Sequence, residues 1–568
     1  MWTSRFAFWA IVMTMLSACA GPTPGAGSPG SGGSETSRAS GPTKITVAIR
    51  GDPRTLSAKL NSGAGAGGIP GVAEIEEILN AGLGIEDRAG TIHPLLAEQI
   101  PSIENGLWQV FPDGRMETTW RIREGAVWHD GTPFTPNDLL FTAEVERDRE
   151  LPIFRNVAHN SIDRVESLDD RTVRVHWKST YIEADTMFTS SRGLPMPRHI
   201  LEEAYRADKL DLPNLTFWNE SYVGTGPFKL REFARGTHLT LEANERYVLG
   251  RPKIDLMEIR FIPDPATIGA NILAGGVELT LGGRLSLEWA KQIRDQWTDG
   301  KMSIEVPRSA VSAYPQFIDP NPPVLLEAPF RRALLHAVDR QALVDTLLDG
   351  LAPVMHSIIP ENHAEYGDVQ RSVVTYEYDP RRATQIIDGL GYAKGPDGNY
   401  RDAAGRPLTL EIRTTANDDG QVKTMLTVAA AWQQIGLPVD QLPVPPQRES
   451  DREFRATRPA FEVVRQPGGW KNLQRFYGPN TPLAQNDYTG VNRTRHRNVE
   501  FDAQIDRFFG TVPRAERMDV LNQIVNYMTT QVVILGMFWD PGPTLASNRI
   551  GNMKDPGAVW DAYEWTIR

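Results

Sequence analysis

Hydrophobic residues along the chain follow two different periods, and the periods alternate from about residue 44 onward. The stretch "RTVRVHW" places Val173, Val175 and Trp177 two positions apart between charged or polar residues. This alternation predicts a half-buried strand. "PLTLEIRTT" at 407–415 repeats it, and "KITVAI" from Lys44 predicts a further strand. The strands are therefore spread over most of the chain.

Other stretches have the helical period and carry helix-start signals. Thr135 precedes Pro136 and stands three positions before Asp138, which predicts a capped helix start. Asp379 before Pro380 predicts another start. The pattern over 328–350 predicts one long helix ended by its terminal glycine. Since strands and helices interleave without a repeat of 20–50 residues, the chain is α/β or α+β rather than a solenoid.

Length and composition narrow the class of protein. A chain of 568 residues exceeds the size of one hydrophobic core, so we expect two or more domains. One cysteine excludes a disulfide framework and a cysteine-based zinc site. The net charge is −11 and no long basic run is present, which argues against nucleic acid and against a membrane surface bound through basic residues.

The single cysteine lies at the end of a leader-like stretch. Apolar or near-apolar residues fill positions 6–15, a length typical of a signal-peptide core and too short to span a bilayer. "LSAC" ending at Cys19 resembles a bacterial lipobox, which implies cleavage after 1–18 and lipidation of Cys19. An ordinary signal peptide with a chance cysteine is the alternative. Residues 19–43, rich in Gly, Pro and Ser, predict a disordered tether.

Two motifs suggest chemistry but favour simpler interpretations. "GAGAGG" at 63–68, with an acidic residue about twenty positions on, satisfies the dinucleotide pattern G-x-G-x-x-G. A dozen residues separate it from the preceding strand, so a flexible loop is the better interpretation. His129 and Asp130 could form a metal pair, yet "DGTP" is strong turn chemistry. We expect no cofactor and no metal.

Catalytic motifs give no positive signal. H-E-x-x-H, G-x-S-x-G and P-loop patterns are missing from the sequence, while a Ser/His/Asp triad dispersed along the chain stays open. "FEVVRQPGGWKNLQRFYGPN" places Trp470 among basic and aromatic residues. It is either a surface loop with Trp470 packed on the core or a ligand-facing loop with an aromatic wall.

Several blocks in the correct order resemble the extracytoplasmic solute-binding proteins of the peptide/nickel class, family 5, which feed ABC importers. The most specific block is "WRIREGAVWHDGTPFTPNDLLFT" at 120–142, followed by "VGTGPFKL" at 223–230. Further matches lie at 243–279, 330–360 and 378–410. The resemblance covers nearly all of the chain after Lys44.

The resemblance implies a two-lobed periplasmic-binding-protein-like α/β fold of type II, with a ligand cleft between the lobes. Lobe one, with an extra subdomain, would span 44–305. Lobe two would span 306–529, and 530–568 would return to lobe one. Ligand-binding residues would come from the loop after the first strand, the crossing strand and the tryptophan loop; these are Asp52, Tyr314, Gln316, Arg465, Gly468, Gly469 and Trp470.

One departure from the peptide-binding pattern bears on the ligand. Peptide-binding members commonly carry an Asp after the tryptophan that pairs with the peptide ammonium, and this chain has none in that loop. The departure disfavours an ordinary free-amine peptide. Arg465, Lys471 and Arg475 instead suggest a ligand with a carboxylate or another anion.

The leading hypothesis is a monomeric, lipid-anchored, extracytoplasmic receptor. It would capture an oligopeptide or another mid-sized polar solute and deliver it to an ABC permease without chemical change. A secreted two-lobed hydrolase and a ligand sensor partnered with a membrane kinase are the alternatives.

Overall fold

The computed structural model describes residues 41–61, 69–87, 90–154, 156–283, 285–304, 309–361, 363–448 and 451–568. The predicted signal peptide, Cys19, almost all of the predicted tether, the glycine-rich loop at 63–68 and the predicted crossing near residue 305 lie outside the described residues. Residues 42–568 form one compact unit.

The α-helices of the described residues are α1 Val72–Leu79, α2 Pro136–Arg147, α3 Val157–Asn160, α4 Arg198–Ala207, α5 Pro265–Leu273, α6 Leu287–Arg294, α7 Ala328–His336, α8 Arg340–Leu348, α9 Tyr366–Val369, α10 Pro380–Gly389, α11 Asp419–Gln434, α12 Arg452–Ala456, α13 Val499–Gly510 and α14 Arg514–Gln531. The strands are β1 Lys44–Ile49, β2 Gly84–Glu86, β3 Ile92–Pro94, β4 Trp108–Val110, β5 Met116–Arg121, β6 Ile162–Ser167, β7 Thr172–Trp177, β8 Phe228–Ala234, β9 His238–Ala243, β10 Leu256–Phe261, β11 Leu279–Thr280, β12 Gly300–Ile304, β13 Ser309–Pro315, β14 Ala393–Lys394, β15 Tyr400–Arg401, β16 Leu410–Thr415, β17 Val439–Val444, β18 Phe461–Pro467, β19 Leu535–Asp540, β20 Pro543–Ser547, β21 Ile550–Gly551 and β22 Thr566–Ile567.

Two large mixed sheets organise the molecule. A seven-stranded sheet has the order β12-β20-β11-β1-β10-β9-β8, and we call the body around it the first lobe. A five-stranded sheet has the order β17-β16-β18-β13-β19, and we call the body around it the second lobe. A four-stranded antiparallel sheet, β4-β5-β7-β6, comes from the chain between β1 and β8 and forms the extra subdomain.

Each lobe has its own hydrophobic core because each sheet buries its face against helices. In the first lobe, Ile45 and Val47 of β1 pack with Ile75 and Ile78 of α1, all fully buried. In the second lobe, fully buried Trp432 of α11 packs against β18 and donates its Nε1–H to the Leu334 carbonyl at 3.1 Å. Each sheet is therefore packed against helices of its own lobe.

The predicted helix over 328–350 is two helices. α7 ends at His336 and α8 begins at Arg340, because Asp339 caps the second helix by accepting from the Ala342 backbone N–H at 2.9 Å. The helix starts at Thr135 and Asp379 lie where the capping signals predicted them. Asp138 accepts from the Thr135 N–H at 2.9 Å, and Asp379 accepts from the Arg382 N–H at 2.9 Å.

The chain returns to the first lobe later than the predicted residue 530. β19 pairs with β13 in the second sheet, and β20 pairs with β11 and β12 in the first. Pro541 and Gly542 therefore make the crossing. The lobe boundaries as a whole stay a prediction.

His129 links two of the blocks that resemble the family, 120–142 and 223–230. Its Nδ1 accepts from the Gly224 N–H at 3.1 Å, and its Nε2 donates to the Gly226 carbonyl at 3.1 Å. Burial lowers the pKa of His129 to about 4, so the ring is neutral at pH 7. Both nitrogens are occupied by backbone, and Gly131 takes φ 93° in the turn that follows. The turn interpretation of this motif fits these contacts.

Candidate functional site: the interlobe cleft

A cleft of about 1880 Å³ opens between the two lobes. On the first-lobe side it is lined by loops that follow β1, β10 and β11, represented by Arg50, Pro263 and Gly282. These strands are parallel neighbours, so their carboxyl ends share one edge of the sheet. Ligands of open α/β sheets bind outside such an edge. The residues Glu74 and Glu77 of α1 extend this wall.

The second-lobe wall is built in the same way. Thr415, Pro467 and Asp540 end β16, β18 and β19 and line the cleft. β16 is parallel to β18, and β18 and β19 both run antiparallel to β13 between them, so these three ends also share an edge. The two edges face one cleft, which matches the predicted position of a ligand site.

Arg465 ties the second-lobe edge together. Its guanidinium pairs with Asp418 after β16 and with Asp540 at the end of β19. Its backbone N–H donates to Gln421 Oε1 at 3.1 Å. Arg465 lines the cleft, and two carboxylates offset its charge. Its role in ligand binding stays a prediction.

An arginine cluster that the sequence prediction missed surrounds Glu462 on β18. Arg493 Nη2 lies 2.6 Å and Arg455 Nη2 lies 3.0 Å from Glu462 Oε1, and Arg458 Nη1 lies 3.9 Å from Oε2. Burial alone would raise the pKa of Glu462, but these arginines and Arg413 together lower it to about 2. Glu462 is therefore ionised at pH 7.

Arg455, Arg458 and Arg493 all line the cleft, and Arg475 joins them. Burial lowers the pKa of Arg458 to about 9 and also lowers the pKa of Arg475 and Arg493. Each of these groups is still cationic at pH 7. The second-lobe wall therefore presents a positively charged patch, and we call these four arginines with Glu462 the arginine cluster.

Tyr314 and Gln316 lie behind the arginine cluster. Gln316 is fully buried and donates its amide to the Ala456 and Arg458 carbonyls at 2.8 and 2.9 Å. Arg458 donates back to the Tyr314 carbonyl at 3.2 Å. Tyr314 is 3% exposed. These two predicted ligand-binding residues support the loop that carries the arginines; their predicted contact with ligand stays a prediction.

The tryptophan loop packs on the second-lobe core. The ring of Trp470 meets Phe508 edge-on at 5.5 Å between centroids and lies 6.4 Å from Phe509. A Cβ on Gly468 would lie 2.2 Å from the Trp539 ring, and Gly469 takes φ 85°. Packing accounts for the position of all three predicted residues here, and their ligand-binding role stays a prediction.

Asp52 and Lys471 also have protein partners. Asp52 is exposed and accepts from the Gly236 N–H at 3.2 Å. Lys471 Nζ lies 2.6 Å from Glu86 Oε2, so this ion pair joins the second lobe to the first beside the cleft. The basic tryptophan loop therefore contributes Arg475, rather than Lys471, to the positive wall.

One signal could have pointed to the missed arginines. Arg452, Arg455 and Arg458 recur every third residue just before β18. At that spacing the pattern is more often a solvated helix face. Arg458 points inward because the short helix α12 ends at Ala456. The spacing of the arginines alone does not predict where this helix ends.

Two further features of the described ranges concern clustered metal-ligating side chains and membrane-spanning helices. There, no group of three or more His, Cys, Asp or Glu side chains is arranged to hold a metal ion. Within the same ranges, every helix is too short or too polar to cross a bilayer.

Comparisons with known proteins agree with this architecture. A family model described as bacterial extracellular solute-binding proteins, family 5 Middle, matches residues 91–484. A Brucella ovis protein, named as a candidate ABC transporter peptide-binding protein, is 27% identical over 332 residues. The match covers 58% of this chain and 58% of that relative, less than two thirds of its length. Heme-binding protein A of Haemophilus influenzae is 24% identical over 473 residues, 79% of each chain.

A solved structure shows the same fold over almost the full length. The oligopeptide-binding protein AppA of Bacillus subtilis, in complex with a nonapeptide, superposes with a TM-score of 0.73 at 20% identity. The superposition covers 93% of this chain and 100% of AppA. With its two-lobed fold, its interlobe cleft and a family model matched over more than half of its length, this chain belongs to the bacterial extracellular solute-binding proteins of family 5.

Proposed function

We propose that this protein is the solute-binding component of an ABC importer, held at the membrane by a lipid on Cys19. It captures an oligopeptide or another mid-sized polar solute in the interlobe cleft and delivers it to a permease. Hinge closure of the lobes buries the solute, and no bond is made or broken.

The cleft carries this proposal. Its volume of about 1880 Å³ exceeds the roughly 300–1,000 Å³ of pockets for drug-sized molecules. Its walls come from two separately packed sheets, so closure can adjust the volume to the solute. The relatives' names concern ligands as different as a peptide and a heme. The side chains of this cleft, rather than the family, therefore decide the solute.

Native mass spectrometry of the purified protein tests solute capture. We expect a small molecule to be bound, and we expect its mass after release to equal its mass before binding. Asn417→Trp should remove this molecule, because Asn417 is exposed in the cleft wall and an indole there would intrude into the space for the solute. Ala403→Trp, at an exposed turn outside the cleft lining, is the matched control and should retain the solute.

Two results would contradict the proposal. Equal solute occupancy in Asn417→Trp would place the binding site elsewhere. Chemical turnover of the captured solute would favour the secreted hydrolase instead. Delivery is tested by measuring uptake of the labelled solute in cells that contain the permease but lack this protein. We expect uptake to be lost, whereas normal uptake would favour a sensor.

A further inference from the structure

The arginine cluster has more positive charge than its carboxylates offset. Arg455, Arg458 and Arg493 converge on the single carboxylate of Glu462. Arg413, behind them, lies 4.0 Å from Glu411. Arg455 has a further contact and is left out of the balance. Among the described residues, Arg413, Arg458, Arg475 and Arg493 are then four guanidinium groups near the two carboxylates of Glu411 and Glu462. An excess of charge in a largely buried place is costly unless a counter-charge is present.

Arg475 is the clearest case, because its contacts within the described ranges are with neutral groups. Nη1 donates to Gln466 Oε1 at 2.6 Å, and Nε donates to Asn472 Oδ1 at 3.3 Å. Arg475, Arg493 and Arg458 favour the ionised form of the Tyr314 hydroxyl, and Glu462 opposes it. Burial still raises the pKa of Tyr314 to about 12, so this hydroxyl supplies no negative charge at pH 7.

The arginine cluster borders the cleft, although parts of it are buried. Arg455 and Arg493 keep 17% and 16% of their side chains exposed, and both line the cleft with Arg475. Arg458, 2% exposed, also lines it, and its Nε lacks a hydrogen-bond partner among the described residues. Planar guanidinium groups bind carboxylates and phosphates through paired N–H donors.

We infer that the arginine cluster is an oxyanion-binding subsite and that the captured solute carries a carboxylate or phosphate group there. This inference rests on the proposed function and narrows its solute class. Glu462 fixes the guanidinium groups of Arg455, Arg458 and Arg493, and Gln316 holds the Ala456–Arg458 backbone, which carries Arg458 and directly follows Arg455. The subsite is thus organised before the solute arrives.

Calorimetric titration with citrate, at constant ionic strength in chloride, tests the subsite directly. We expect wild type to bind citrate and Arg475→Gln to bind it about tenfold more weakly, the usual effect of losing one charge-assisted hydrogen bond. Thermal melting of the variant checks the fold. Arg497→Gln removes the same charge at an exposed residue outside the cleft lining and should leave the affinity unchanged.

A parallel titration with inorganic phosphate shows which oxyanion fits better. Failure of wild type to bind either anion, or equal affinity in Arg475→Gln and Arg497→Gln, would overturn the subsite. If native mass spectrometry still finds a solute in that case, the proposed function survives and only this inference falls. If citrate binds as expected but no solute is ever captured, the subsite stands and the importer proposal falls.

Discussion

Single residues in this protein have roles that their neighbours decide. Arg465, Lys471 and Arg475 lie close in sequence and suggested one anion-binding group. In the fold, Arg465 is held by Asp418 and Asp540, and Lys471 pairs with Glu86. Arg475 alone of the three has neutral partners in the described residues. The inferred anion subsite therefore keeps Arg475 and adds Arg455, Arg458 and Arg493 to it.

Cys19→Ala should release the protein from membranes, because the thiol is the predicted site of lipidation and two or more acyl chains are needed for stable anchoring. Membrane fractionation with immunoblotting measures the effect. Ser28→Ala, in the predicted tether, is the control and should stay membrane-bound. Wild-type membrane retention of Cys19→Ala would disprove the lipobox prediction.

Trp470→Ala should lower the free energy of unfolding by about 1–3 kcal/mol, because the half-buried indole loses its contacts with Phe508 and Phe509. Urea denaturation measures this loss. Solute affinity in the same variant tests the original ligand-facing prediction. A decrease in affinity above about 1 kcal/mol, without loss of stability, would restore the ring to the binding site.

At the scale of elements, strand ends and short helices bring the charged groups together. β18 supplies Glu462, α12 supplies Arg455, and the loop before α13 supplies Arg493. These elements are joined by the carboxylate of Glu462, which lies near the start of β18 and lines the cleft. The stability of this junction should therefore depend on the ionisation of Glu462.

Glu462→Gln should destabilise the protein at pH 7 by about 3–5 kcal/mol, since it leaves buried arginines without their counter-charge. The folded-state pKa of about 2 lies below the ordinary 4.5, so the ionised carboxylate stabilises the fold above pH 4.5. This contribution is lost as pH falls from 4.5 towards 2. Urea unfolding across that range should show a shallower pH dependence in Glu462→Gln than in wild type. Identical slopes would remove Glu462 as the cause.

At the scale of the whole molecule, two lobes with separate cores share one cleft and touch beside it. Lys423 Nζ of α11 lies 2.7 Å from Glu288 Oε2 of α6, and the Ile182 N–H donates to the Phe509 carbonyl at 3.2 Å. The Lys471–Glu86 and Lys291–Asp349 pairs also join the lobes, and so does the hydrogen bond from the Thr180 hydroxyl to the Gly510 carbonyl. Under the proposed function, closure of the lobes around the solute would add to these contacts.

The identified solute, added at 100 times its dissociation constant, should raise the free energy of unfolding by about 2.7 kcal/mol. The reason is mass action on a folded state that alone has the cleft. Chemical denaturation with and without solute measures it, and Asn417→Trp is the control that should show no increase. An equal increase in that variant would indicate binding outside the cleft.

The sequence by itself determined the local structure and the family. Strict alternation predicted β7 and β16, and capping residues predicted the starts of α2 and α10, because these signals act between neighbours in the chain. The ordered blocks predicted the two-lobed fold, which the family match and the superposition confirm. The sequence did not predict the break of the 328–350 helix at Asp339. The apolar residues keep the helical spacing across the break, and this spacing hides the capping signal of Asp339.

Only the tertiary structure decided which side chains face the cleft. Charge compensation depends on partners far apart in sequence, such as Asp418 and Asp540 around Arg465, or Arg455 and Arg493 around Glu462. Position in the fold likewise separates the supporting residues Tyr314 and Gln316, which lie outside the cleft lining, from the arginines that line it. Residue type and spacing specify what a side chain can bind, whereas its partners and its exposure decide whether it remains available for a solute.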